Sequence, residues 1–588
     1  MVSQSLPTSR LPRPLAGAIH RFLKLDQLDR LYESARGHAT IARQLLDILE
    51  IDIRATAGDV ARIPADGPLI AVANHPFGIL DGMVLIDLLT RIRPDIRVLT
   101  NRMLGELPEL APICCFVDPF DNPDSRAANG RALRQAIRHV RSGGLLLVFP
   151  AGEVSHFDIR KRAICDPAWN PIVIRLIRLT KANALPILIQ GANGLPFQML
   201  GMVHPRLRTA ALPVELLNKR GRSVEVRIGS TIDSSRIAAM PEDAQALCYL
   251  RFRTELLARR AATTPTAPPD AEFFASPIES SVDPAVLARE IEALPACCLM
   301  EKSRELCVYL ASAPKIPCAL AEIGRLREVT FRAAGEGTGK PADIDHFDVH
   351  YLHLFLWNPG KREIAGAYRI GDIPALIARS GSKALYTESL FRFRPGFFQR
   401  LGPALELGRS FIRPEYQRQF APLLLLWKGI SAYVAQRPQY STLIGAVSVS
   451  NSYSPASREL IARFFESQRP APEWQGAVKA RRPLRGNLLQ KWEMDTLSSL
   501  MRGVEELSEP IADLEPDGKG LPILVKQYAK LGGRLLAFTV DPRFGNTLDG
   551  FVVVDLTRTD PDVLARYMGK EKARGFFAWH TASRINAA

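Results

Sequence analysis

The sequence contains few cysteines, and they follow no pattern. Eight cysteines are spread over 588 residues, and no two of them are separated by two residues, so a zinc ribbon is not predicted. Sparse cysteine in a long chain is typical of reduced thiols in the cytosol. The N-terminus also lacks the apolar core of about 7–15 residues that a signal peptide carries. We therefore expect a cytoplasmic protein.

Long apolar runs are missing as well. No run reaches the ~18 residues that a membrane-spanning helix requires. Apolar residues make up 47% and charged residues 23% of the chain, which excludes a disordered or fibrous protein. At roughly 150 residues per domain, the length predicts several domains.

Basic residues outnumber acidic ones. Lys and Arg together number 76 against 61 for Asp and Glu, which gives a net charge of +15. Such a chain predicts an anionic partner, which can be a nucleic acid, a phospholipid surface or an acidic protein. Residues 1–24 contain basic residues and no acidic one, with Leu15, Ile19, Phe22 and Leu23 on one helical stripe. This segment fits either a helix lying on anionic lipid or a helix packed on its own domain.

Helix and strand signals then alternate. Residues 1–60 predict a helical arm, and residues 61–260 predict an α/β domain. The predicted strands are 67–73, 96–99, 145–148, 185–190 and 224–228, and the predicted helices are 80–91, 125–142 and 242–260. Residues 261–284 are rich in Pro, Ala, Ser and Thr, so we place a linker at 261–289. A second α/β pattern follows, and we assign it to residues 290–588.

A histidine and an aspartate follow the first buried strand. His75 lies in a turn with Pro76 and Gly78, and Asp81 opens the next helix. A carboxylate at that position can orient the imidazole and stabilise its cation, which lets the histidine take a proton from a substrate hydroxyl. The structural alternative is a turn in which Asp81 only caps the helix.

A second turn follows the strand at 145–148. It reads Phe149-Pro150-Ala151-Gly152-Glu153. Such a turn presents backbone amides and a carboxylate beside the crevice in which α/β sheets bind ligands. We therefore expect Gly152 and Glu153 to contact substrate.

These blocks, in this order, resemble the glycerolipid (lysophospholipid) acyltransferases over about residues 60–235. His75 and Asp81 match the family's His–Asp motif. The turn at 149–152 matches its Phe-Pro-Glu-Gly motif, and Leu185-Pro186 matches its late Val-Pro strand. The resemblance implies an O-acyltransferase in which His75 deprotonates an acceptor hydroxyl, which then attacks an acyl thioester.

Two departures from that family stand out. Five residues separate His75 from Asp81 where the family has four, and a bulge at Gly78 would absorb the extra one. Ala151 occupies the position of the motif's glutamate, and Glu153 lies two residues further on. Glu153 is the candidate to replace the missing carboxylate.

Acidic and arginine side chains recur on successive elements of the second domain. Paired aspartates can hold an ammonium, an arginine can clamp a carboxylate with two parallel hydrogen bonds, and a glutamate can take a proton from an amine. The alternative is a set of surface ion pairs. The candidate residues are Arg327, Phe331, Asp345, Asp348, Arg369, Glu406 and Arg409.

The order and spacing of that set resemble the acyl-homoserine lactone synthases and the related ornithine N-acyltransferases, a branch of the GNAT fold. The resemblance covers about residues 290–580, including the segments 521–528 and 541–549. It implies a GNAT-like α/β domain in which Glu406 takes the amine proton and Asp345 and Asp348 bind or orient the substrate. Arg369 and Arg409 would then support the geometry of the site.

One further segment of the sequence bears on the identity of the acyl donor. GNAT enzymes usually carry a glycine-containing loop that cradles the pyrophosphate of coenzyme A. The corresponding run from Arg413 to Ala421 has no glycine. This favours acyl carrier protein over coenzyme A as the acyl donor, and an acidic carrier suits a basic enzyme. No other cofactor is expected.

Three histidines permit a metal site. His346, His350 and His353 have spacings of four and three, which would place them on one helical face. The neighbouring acids and Tyr351 fit the acyltransferase pattern without a metal, so no metal is expected.

Together the two resemblances imply a fused, bifunctional lipid synthase of the ornithine-lipid type. The C-terminal module would join a 3-hydroxyacyl group to the α-amine of ornithine, and the N-terminal module would esterify the hydroxyl of the resulting lyso-ornithine lipid. The expected partners are acyl carrier protein, ornithine, lyso-ornithine lipid and an anionic membrane surface, with no nucleic acid. We expect the enzyme on the inner face of the cytoplasmic membrane.

Four alternatives remain open from the sequence. The acceptor can be glycine or another amino acid. The chain can be a lysophosphatidate acyltransferase with an inactive C-terminal module, or a quorum-signal synthase. It can also be a basic membrane- or nucleic-acid-binding protein on an inactive scaffold.

Overall fold

The computed structural model describes residues 25–37, 40–101, 109–117, 123–260, 276–303, 305–419, 421–468, 472–490, 492, 494–501 and 503–587. The basic segment at 1–24 lies outside these residues. The chain divides into two compact units, residues 1–260 with 512–516 and residues 261–511 with 517–588. In the described part of the chain, no helix combines the length and the apolar character needed to cross a membrane.

A sheet surrounded by helices forms the first unit. Its strands are β1 (Asp52–Arg54), β2 (Leu69–Ala73), β3 (Arg97–Asn101), β4 (Cys114–Val117), β5 (Leu145–Val148), β6 (His156–Asp158), β7 (Ala163–Cys165), β8 (Asn183–Ile189) and β9 (Ser223–Ile228). Its helices are α1 (Leu25–Ala35), α2 (Ile41–Ile48), α3 (Ala57–Val60), α4 (Ile79–Thr90), α5 (Pro123–Arg141), α6 (Ile172–Thr180), α7 (Leu195–Val203), α8 (Pro205–Asn218), α9 (Ser234–Ala238) and α10 (Asp243–Leu256).

Seven of these strands form one sheet in the order β1-β9-β8-β2-β5-β3-β4. Every neighbouring pair is parallel except β8 and β9, which are antiparallel. Strands β2 and β5 are continuous apolar runs that are buried throughout, as expected for central parallel strands covered on both faces. Because β2 and β5 are parallel neighbours, the segments that follow them lie at the same edge of the sheet.

The prediction of helices throughout residues 1–60 was wrong at one point. Asp52–Arg54 form a strand, β1, which pairs in parallel with β9. The strand has only three residues, too few for its alternation to be visible in the sequence. The strands β6 and β7, for which nothing was predicted, form a separate antiparallel hairpin.

The second unit is also built on a mixed α/β plan. Its strands are β10 (Leu299–Ser303), β11 (Leu306–Ser312), β12 (Leu352–Asn358), β13 (Glu363–Asp372), β14 (Phe391–Phe393), β15 (Ala404–Ile412), β16 (Thr442–Val449), β17 (Val478–Ala480), β18 (Arg534–Asp541) and β19 (Thr547–Asp555). Its helices are α11 (Pro284–Glu292), α12 (Pro317–Ala333), α13 (Ile373–Ser380), α14 (Phe397–Leu401), α15 (Ala421–Gln436), α16 (Pro455–Ser467), α17 (Met494–Leu500), α18 (Val504–Leu514, with its end counted in the first unit), α19 (Ile523–Lys530), α20 (Pro561–Met568) and α21 (Lys570–Ala587).

Eight strands form the main sheet of this unit, in the order β10-β11-β12-β13-β15-β16-β19-β18. All neighbours are antiparallel except β15 and β16, which are parallel. Both units therefore have the predicted α/β class.

The strands β15 and β16 pair over only part of their length. Residues 404–407 pair with 442–445, and beyond that point β15 continues beside β13 while β16 continues beside β19. Gly445 stands opposite Leu407 at the last pair, where a Cβ on Gly445 would lie 2.3 Å from the Leu407 carbonyl oxygen. Glycine is therefore required where the two strands begin to part.

Candidate active sites

His75 follows β2 and lies against Asp81, at the start of α4. Nδ1 of His75 is 2.9 Å from Oδ2 of Asp81, a side chain with no exposed surface. The same Oδ2 accepts the backbone N–H groups of Phe77 and Gly78, each at 2.9 Å. Burial raises the pKa of Asp81, and the contact with His75 opposes that shift. Asp81 thus fixes the ring through Nδ1 and leaves Nε2 as the ring nitrogen for a substrate.

The neighbours of His75 fix its direction. The Asn74 side chain accepts the N–H of Ile189 at 2.7 Å and donates to the Ile189 carbonyl at 2.9 Å, which ties the end of β2 to β8. The imidazole lies on the ring of Phe149, with 4.5 Å between the ring centroids. Phe149 follows β5, so the two turns noted in the sequence meet at one edge of the sheet.

Gly78 accommodates the additional residue between His75 and Asp81. Its φ is +86°, a conformation that favours glycine. A Cβ at this position would lie 2.9 Å from Leu212 and 3.2 Å from Val154. Both the backbone conformation and the packing therefore require glycine here.

Glu153 forms an ion pair at the surface of the first unit. Its Oε2 is 2.7 Å from Nη2 of Arg208, and its side chain is 62% exposed. Its role in place of the missing motif carboxylate stays a prediction. Gly152 has a φ of +66° and donates its N–H to the Phe149 carbonyl at 3.1 Å, which closes the turn.

A buried aspartate that the sequence reasoning missed clamps the His75 backbone. Oδ1 of Asp166 accepts the N–H of His75 at 3.2 Å and the hydroxyl of Ser155, and its Oδ2 accepts Nε1–H of Trp169 at 3.0 Å. The N–H of Ser155 in turn donates to the His75 carbonyl at 2.8 Å. No local pattern links Asp166 to His75, because 91 residues separate them.

In the second unit, two predicted arginines and two predicted aspartates form a buried network. Nη1 of Arg327 is 2.8 Å from Oδ1 of Asp348. Nη1 of Arg369 is 2.7 Å from Oδ1 of Asp345 and 3.2 Å from Oδ1 of Asp348. Burial alone would raise the pKa of Asp348, but the two guanidinium groups outweigh it and hold that pKa below its usual range. Both aspartates therefore pair with arginines, and the expectation that they bind or orient the substrate stays a prediction.

Arg409 extends this network toward the parting strands. Its Nε is 2.9 Å from Oδ2 of Asp343, and its Nη1 donates to the Tyr386 hydroxyl at 3.1 Å. Its guanidinium lies 4.6 Å from the centroid of the Phe544 ring. Phe331 packs edge-on against Phe544 with 5.0 Å between centroids, so it supports the surface on which Arg409 rests.

The carboxylate of Glu406 accepts hydrogen bonds from three donors of the protein. Its Oε2 accepts the Tyr351 hydroxyl and the N–H of Tyr386 at 3.2 Å, and its Oε1 accepts the N–H of Thr387 at 2.7 Å. Its side chain is buried. This geometry favours a positioning role for Glu406, which holds the turn at 386–387, over the role of proton acceptor expected from the sequence.

The three histidines do not share a helix. His346 and His350 lie in turns before β12, and His353 lies within β12, so the predicted common helical face was wrong. Among the described residues, no group of three or more His, Cys, Asp or Glu side chains is arranged to hold a metal ion. The His353 side chain is buried, and burial lowers its pKa to about 4.

Three buried acids, to which the sequence reasoning gave no role, lie beyond Arg409. They are Glu336, Asp541 and Asp549, and we call them the acid cluster. Burial raises the pKa of Glu336 to about 7 and that of Asp549 to about 8. The segment 541–549 was noticed only through its family resemblance, because its two aspartates come together through strand pairing.

Comparisons with known proteins find an acyltransferase-type match in each half of the chain. The model of an acyltransferase family matches residues 52–261, and that of an acetyltransferase (GNAT) domain matches residues 326–428. These matches confirm the prediction that one module of each type is present.

Three curated relatives are similar to parts of the chain. A glycine N(alpha)-acyltransferase from Phocaeicola vulgatus is 38% identical over 170 residues, which cover 27% of this chain and 52% of the relative. An L-ornithine N(alpha)-acyltransferase from Brucella abortus is 26% identical over 273 residues, 43% of this chain and 87% of the relative. A lyso-glycine lipid O-acyltransferase from P. vulgatus is 23% identical over 234 residues, 38% of this chain and 80% of the relative. The chain thus spans about half the length of the first of these relatives, 52%.

Proposed function

We propose that this chain is a bifunctional acyltransferase that makes an ornithine lipid in two steps. The second unit transfers a 3-hydroxyacyl group to the α-amine of ornithine, and the first unit then acylates the hydroxyl of that product. The observation that carries the proposal is that one chain contains both the His75–Asp81 pair, at the edge of an acyltransferase-type sheet, and a GNAT-type domain. The fusion has a chemical reason, because the product of one unit is the acceptor for the other.

The O-acylation step uses His75 as its base. Nε2 takes the proton of the acceptor hydroxyl as the oxygen attacks the thioester carbonyl, and it returns that proton to the leaving thiolate. Asp81 holds the ring through Nδ1 and stabilises the imidazolium that forms in between. The clamp from Asp166 keeps the histidine backbone fixed during both proton transfers.

The N-acylation step takes place where β15 and β16 part. Beyond Leu407 and Gly445, these strands no longer pair with each other, so an extended chain with amide groups can bind to their facing edges. The arm that carries an acyl thioester is such a chain. We place the thioester there, beside Arg409, whose φ of +49° marks an irregularity in β15.

The donor in this proposal is acyl carrier protein. Arg413 begins the loop that lacks glycine, and its side chain is engaged by Glu363 at 2.7 Å and by Glu415 at 2.9 Å. A guanidinium held by two carboxylates is a poor ligand for a pyrophosphate. The net charge of +15 favours the approach of an acidic carrier.

Glycine is a second candidate for the acceptor. The relative named a glycine N(alpha)-acyltransferase is 38% identical where it aligns, whereas the L-ornithine relative is 26% identical. The two acceptors share an α-amine and a carboxylate and differ in the second ammonium of ornithine. The proposed two-step chemistry is the same for both.

A membrane surface is the proposed location, since the acceptor of the second step is a lipid. Exposed apolar side chains Leu195, Met199 and Met202 follow each other at helical spacing on α7, and Ile159 is exposed in the adjacent β6–β7 hairpin. Residues 160–162 of that hairpin, Arg-Lys-Arg, are exposed as well. Apolar side chains beside basic ones fit the interface of an anionic bilayer, and this location would be the inner face of the cytoplasmic membrane.

The test is a direct assay. Purified protein receives 3-hydroxyacyl carrier protein with ornithine or with glycine, and products are identified by mass spectrometry before and after a second acyl donor is added. We expect an amide first and an ester of that amide second. Ester formation on lysophosphatidate without any amide would instead support a lysophospholipid acyltransferase with an inactive second unit. A diffusible lactone would support a signal synthase.

A further inference from the structure

The acid cluster of Glu336, Asp541 and Asp549 is built on one face of the main sheet of the second unit. Asp549 on β19 stands directly opposite Ser448 on β16 and Thr539 on β18. The Ser448 hydroxyl donates to Oε2 of Glu336 at 3.1 Å, which brings the loop after α12 onto this face. Asp541 lies two residues after Thr539 on β18 and therefore points to the same side.

The cluster has acceptor capacity that the protein does not use. All three carboxylates are more than nine-tenths buried. Oδ1 of Asp541 accepts the N–H of Arg543 at 3.0 Å, but no donor among the described residues reaches the carboxylate of Asp549. Thr547 lies two residues before Asp549 on the same face, and its buried hydroxyl also has no partner in that part of the structure. An unpaired buried hydroxyl such as that of Thr547 is costly unless a ligand forms a hydrogen bond with it.

The neighbouring arginines do not offset the effect of burial on the pKa of Asp549. Arg409 and Arg458 are the cations that lower the pKa of Asp549, and burial together with Asp541 and Glu336 outweighs them. Arg409 is already 2.9 Å from the Asp343 carboxylate. Glu336 and Asp549 are therefore harder to ionise than exposed acids, and a cationic ligand would favour their ionised form.

The two arginines are also fixed in place. Arg458 donates to Oδ1 of Asn451 at 2.7 Å and to the Asn546 carbonyl at 2.8 Å. Arg409 contacts Asp343 and Tyr386. The charges of Asp541 and Asp549 contribute to the raised pKa of Tyr386. Both arginines therefore act on the carboxylates only in part, and burial still raises the pKa of Asp549.

The cluster borders the place where β15 and β16 part. Ser448, opposite Asp549, belongs to the portion of β16 that no longer pairs with β15, and Arg409 belongs to the corresponding portion of β15. The loop that carries Glu336 is held against the sheet by the Ser450 hydroxyl, which donates to the Ala334 carbonyl. A cation bound to the cluster would thus lie next to the position proposed for the thioester.

We infer that the acid cluster binds the ammonium group of the amino-acid acceptor and that Asp549 takes the proton that frees its lone pair. This inference rests on the proposed N-acylation. The ammonium gives one proton to the Asp549 carboxylate, the neutral amine attacks the thioester carbonyl, the C–N bond forms and the C–S bond breaks. The nitrogen then passes a second proton to the leaving thiolate, which gives an amide and a thiol.

An ammonium fits the site better than a metal ion. The three carboxylates are not arranged as a metal-binding group among the described residues. An ammonium donates three directed hydrogen bonds, and the acceptors that remain free on Asp549 and Glu336 can receive them. The raised pKa of Asp549, about 8, lies near the value at which a general base works best at neutral pH.

The test measures steady-state N-acylation by the full chain with 3-hydroxyacyl carrier protein, using glycine and ornithine in separate arms. Asp549→Asn should lower kcat by about 10²–10⁴-fold, the usual contribution of a general base, and remove the rise of kcat with pH. Glu336→Gln should raise KM for the amino acid about tenfold, the effect of one weakened charge-assisted hydrogen bond, with little change in kcat. Asp549→Ser serves as a second neutral variant at the same position.

Asp555→Asn is the matched control, because it makes the same change on the same strand away from the cluster, and it should behave as wild type. Urea unfolding of each variant beside wild type shows whether the second unit, which carries the substitutions, is folded. If wild type forms the amide and both Asp549 variants keep its kcat, KM and pH profile, the inference is overturned and the proposed function stands. If wild type forms no amide with either amino acid, the proposed function falls and the inference with it.

Discussion

Nδ1 of His75 lies 2.9 Å from Oδ2 of Asp81, and that single oxygen also accepts the N–H groups of Phe77 and Gly78. One carboxylate therefore sets both the turn that presents the histidine and the orientation of its ring. Because the turn and the ring share an anchor, the geometry of the base depends on the local backbone as much as on the imidazole itself.

His75→Ala should abolish O-acylation and leave N-acylation intact. The expected loss is about 10²–10⁴-fold in the rate of ester formation, the usual contribution of a general base. In an expressing host, the N-acyl amino acid should accumulate and the diacylated lipid should disappear from lipid extracts. The unchanged rate of amide formation in the same protein is the internal control. Ester formation at the wild-type rate would contradict the role given to His75.

Gly78→Ala should impair the first unit although it adds only a methyl group. With φ at +86° and ψ at −120°, a residue with a Cβ is strained by about 1–3 kcal/mol, and the new Cβ would lie 2.9 Å from Leu212. We expect a lower melting temperature and reduced O-acylation. Gly82→Ala is the matched control, since Gly82 lies within α4 and a Cβ there would meet open space. That control should be neutral or stabilising by about 0.5–1 kcal/mol.

Glu406→Gln tests whether Glu406 acts as a base or as a positioning group. The new side-chain amide would place an N–H₂ group toward donors such as the N–H of Thr387, so the turn at 386–387 should loosen. We expect lower stability and slower N-acylation, with the pH dependence of kcat unchanged. A loss of kcat with an altered pH profile and unchanged stability would restore Glu406 as the proton acceptor.

The stability of the second unit should fall as the pH rises from about 4 to about 8. Burial raises the pKa of Glu336 to about 7 and that of Asp549 to about 8, whereas a carboxyl of an unfolded chain has a pKa of about 4. Over this interval these two carboxyls bind more protons in the folded state than in the unfolded state, which lowers the free energy of unfolding as the pH rises. His353, whose pKa burial lowers to about 4, acts in the opposite direction up to about pH 6.5, but it is one group against two.

Asp549→Asn should flatten that dependence, because the asparagine does not ionise. Urea unfolding of wild type and variant at several pH values measures the difference. The variant should gain stability relative to wild type at high pH and little at low pH. Asp555→Asn should keep the wild-type slope. A stability that rises with pH in wild type over this range would contradict the assignment.

The exposed face of α7 should govern binding to anionic vesicles. Leu195→Glu and Met199→Glu place charges where we expect apolar contact with the interface, and each should weaken partition by about tenfold. Leu179→Glu is the control, since Leu179 is also exposed but lies on α6. Binding of wild type should weaken as salt is raised, because residues 160–162 contribute an electrostatic attraction. Equal vesicle binding by all three variants would contradict the proposed surface.

Local signals made part of this protein predictable. The strands β2 and β5 are uninterrupted apolar runs between turns, so both were found with nearly correct ends. The His75–Asp81 pair follows from a motif of seven residues, and the positive φ of Gly78 explains why its spacing departs from the family.

Other features depended on long-range pairing. Asp166 reaches His75 only after the chain folds back over 91 residues, and no periodicity encodes that contact. The sequence identified Asp345 and Glu406 as site residues, but the roles of their carboxylates depend on their hydrogen-bond partners. Arg369 donates to the Asp345 carboxylate, and a hydroxyl and two backbone N–H groups donate to that of Glu406, and the sequence does not show these partners. The acid cluster likewise exists only because β16, β18 and β19 are neighbours.

Strands β15 and β16 pair with each other only over 404–407 and 442–445, which leaves a gap in the sheet beyond these residues. Among the described residues, 408–412 and 446–449 have no strand partner on the side where they face each other. A ligand that supplies backbone-like amides there acts as a missing segment of the fold as well as a substrate. The amide hydrogens of these two stretches that point into the gap should therefore exchange slowly only when the acyl donor is bound, which couples catalytic occupancy to the cooperative stability of the whole sheet.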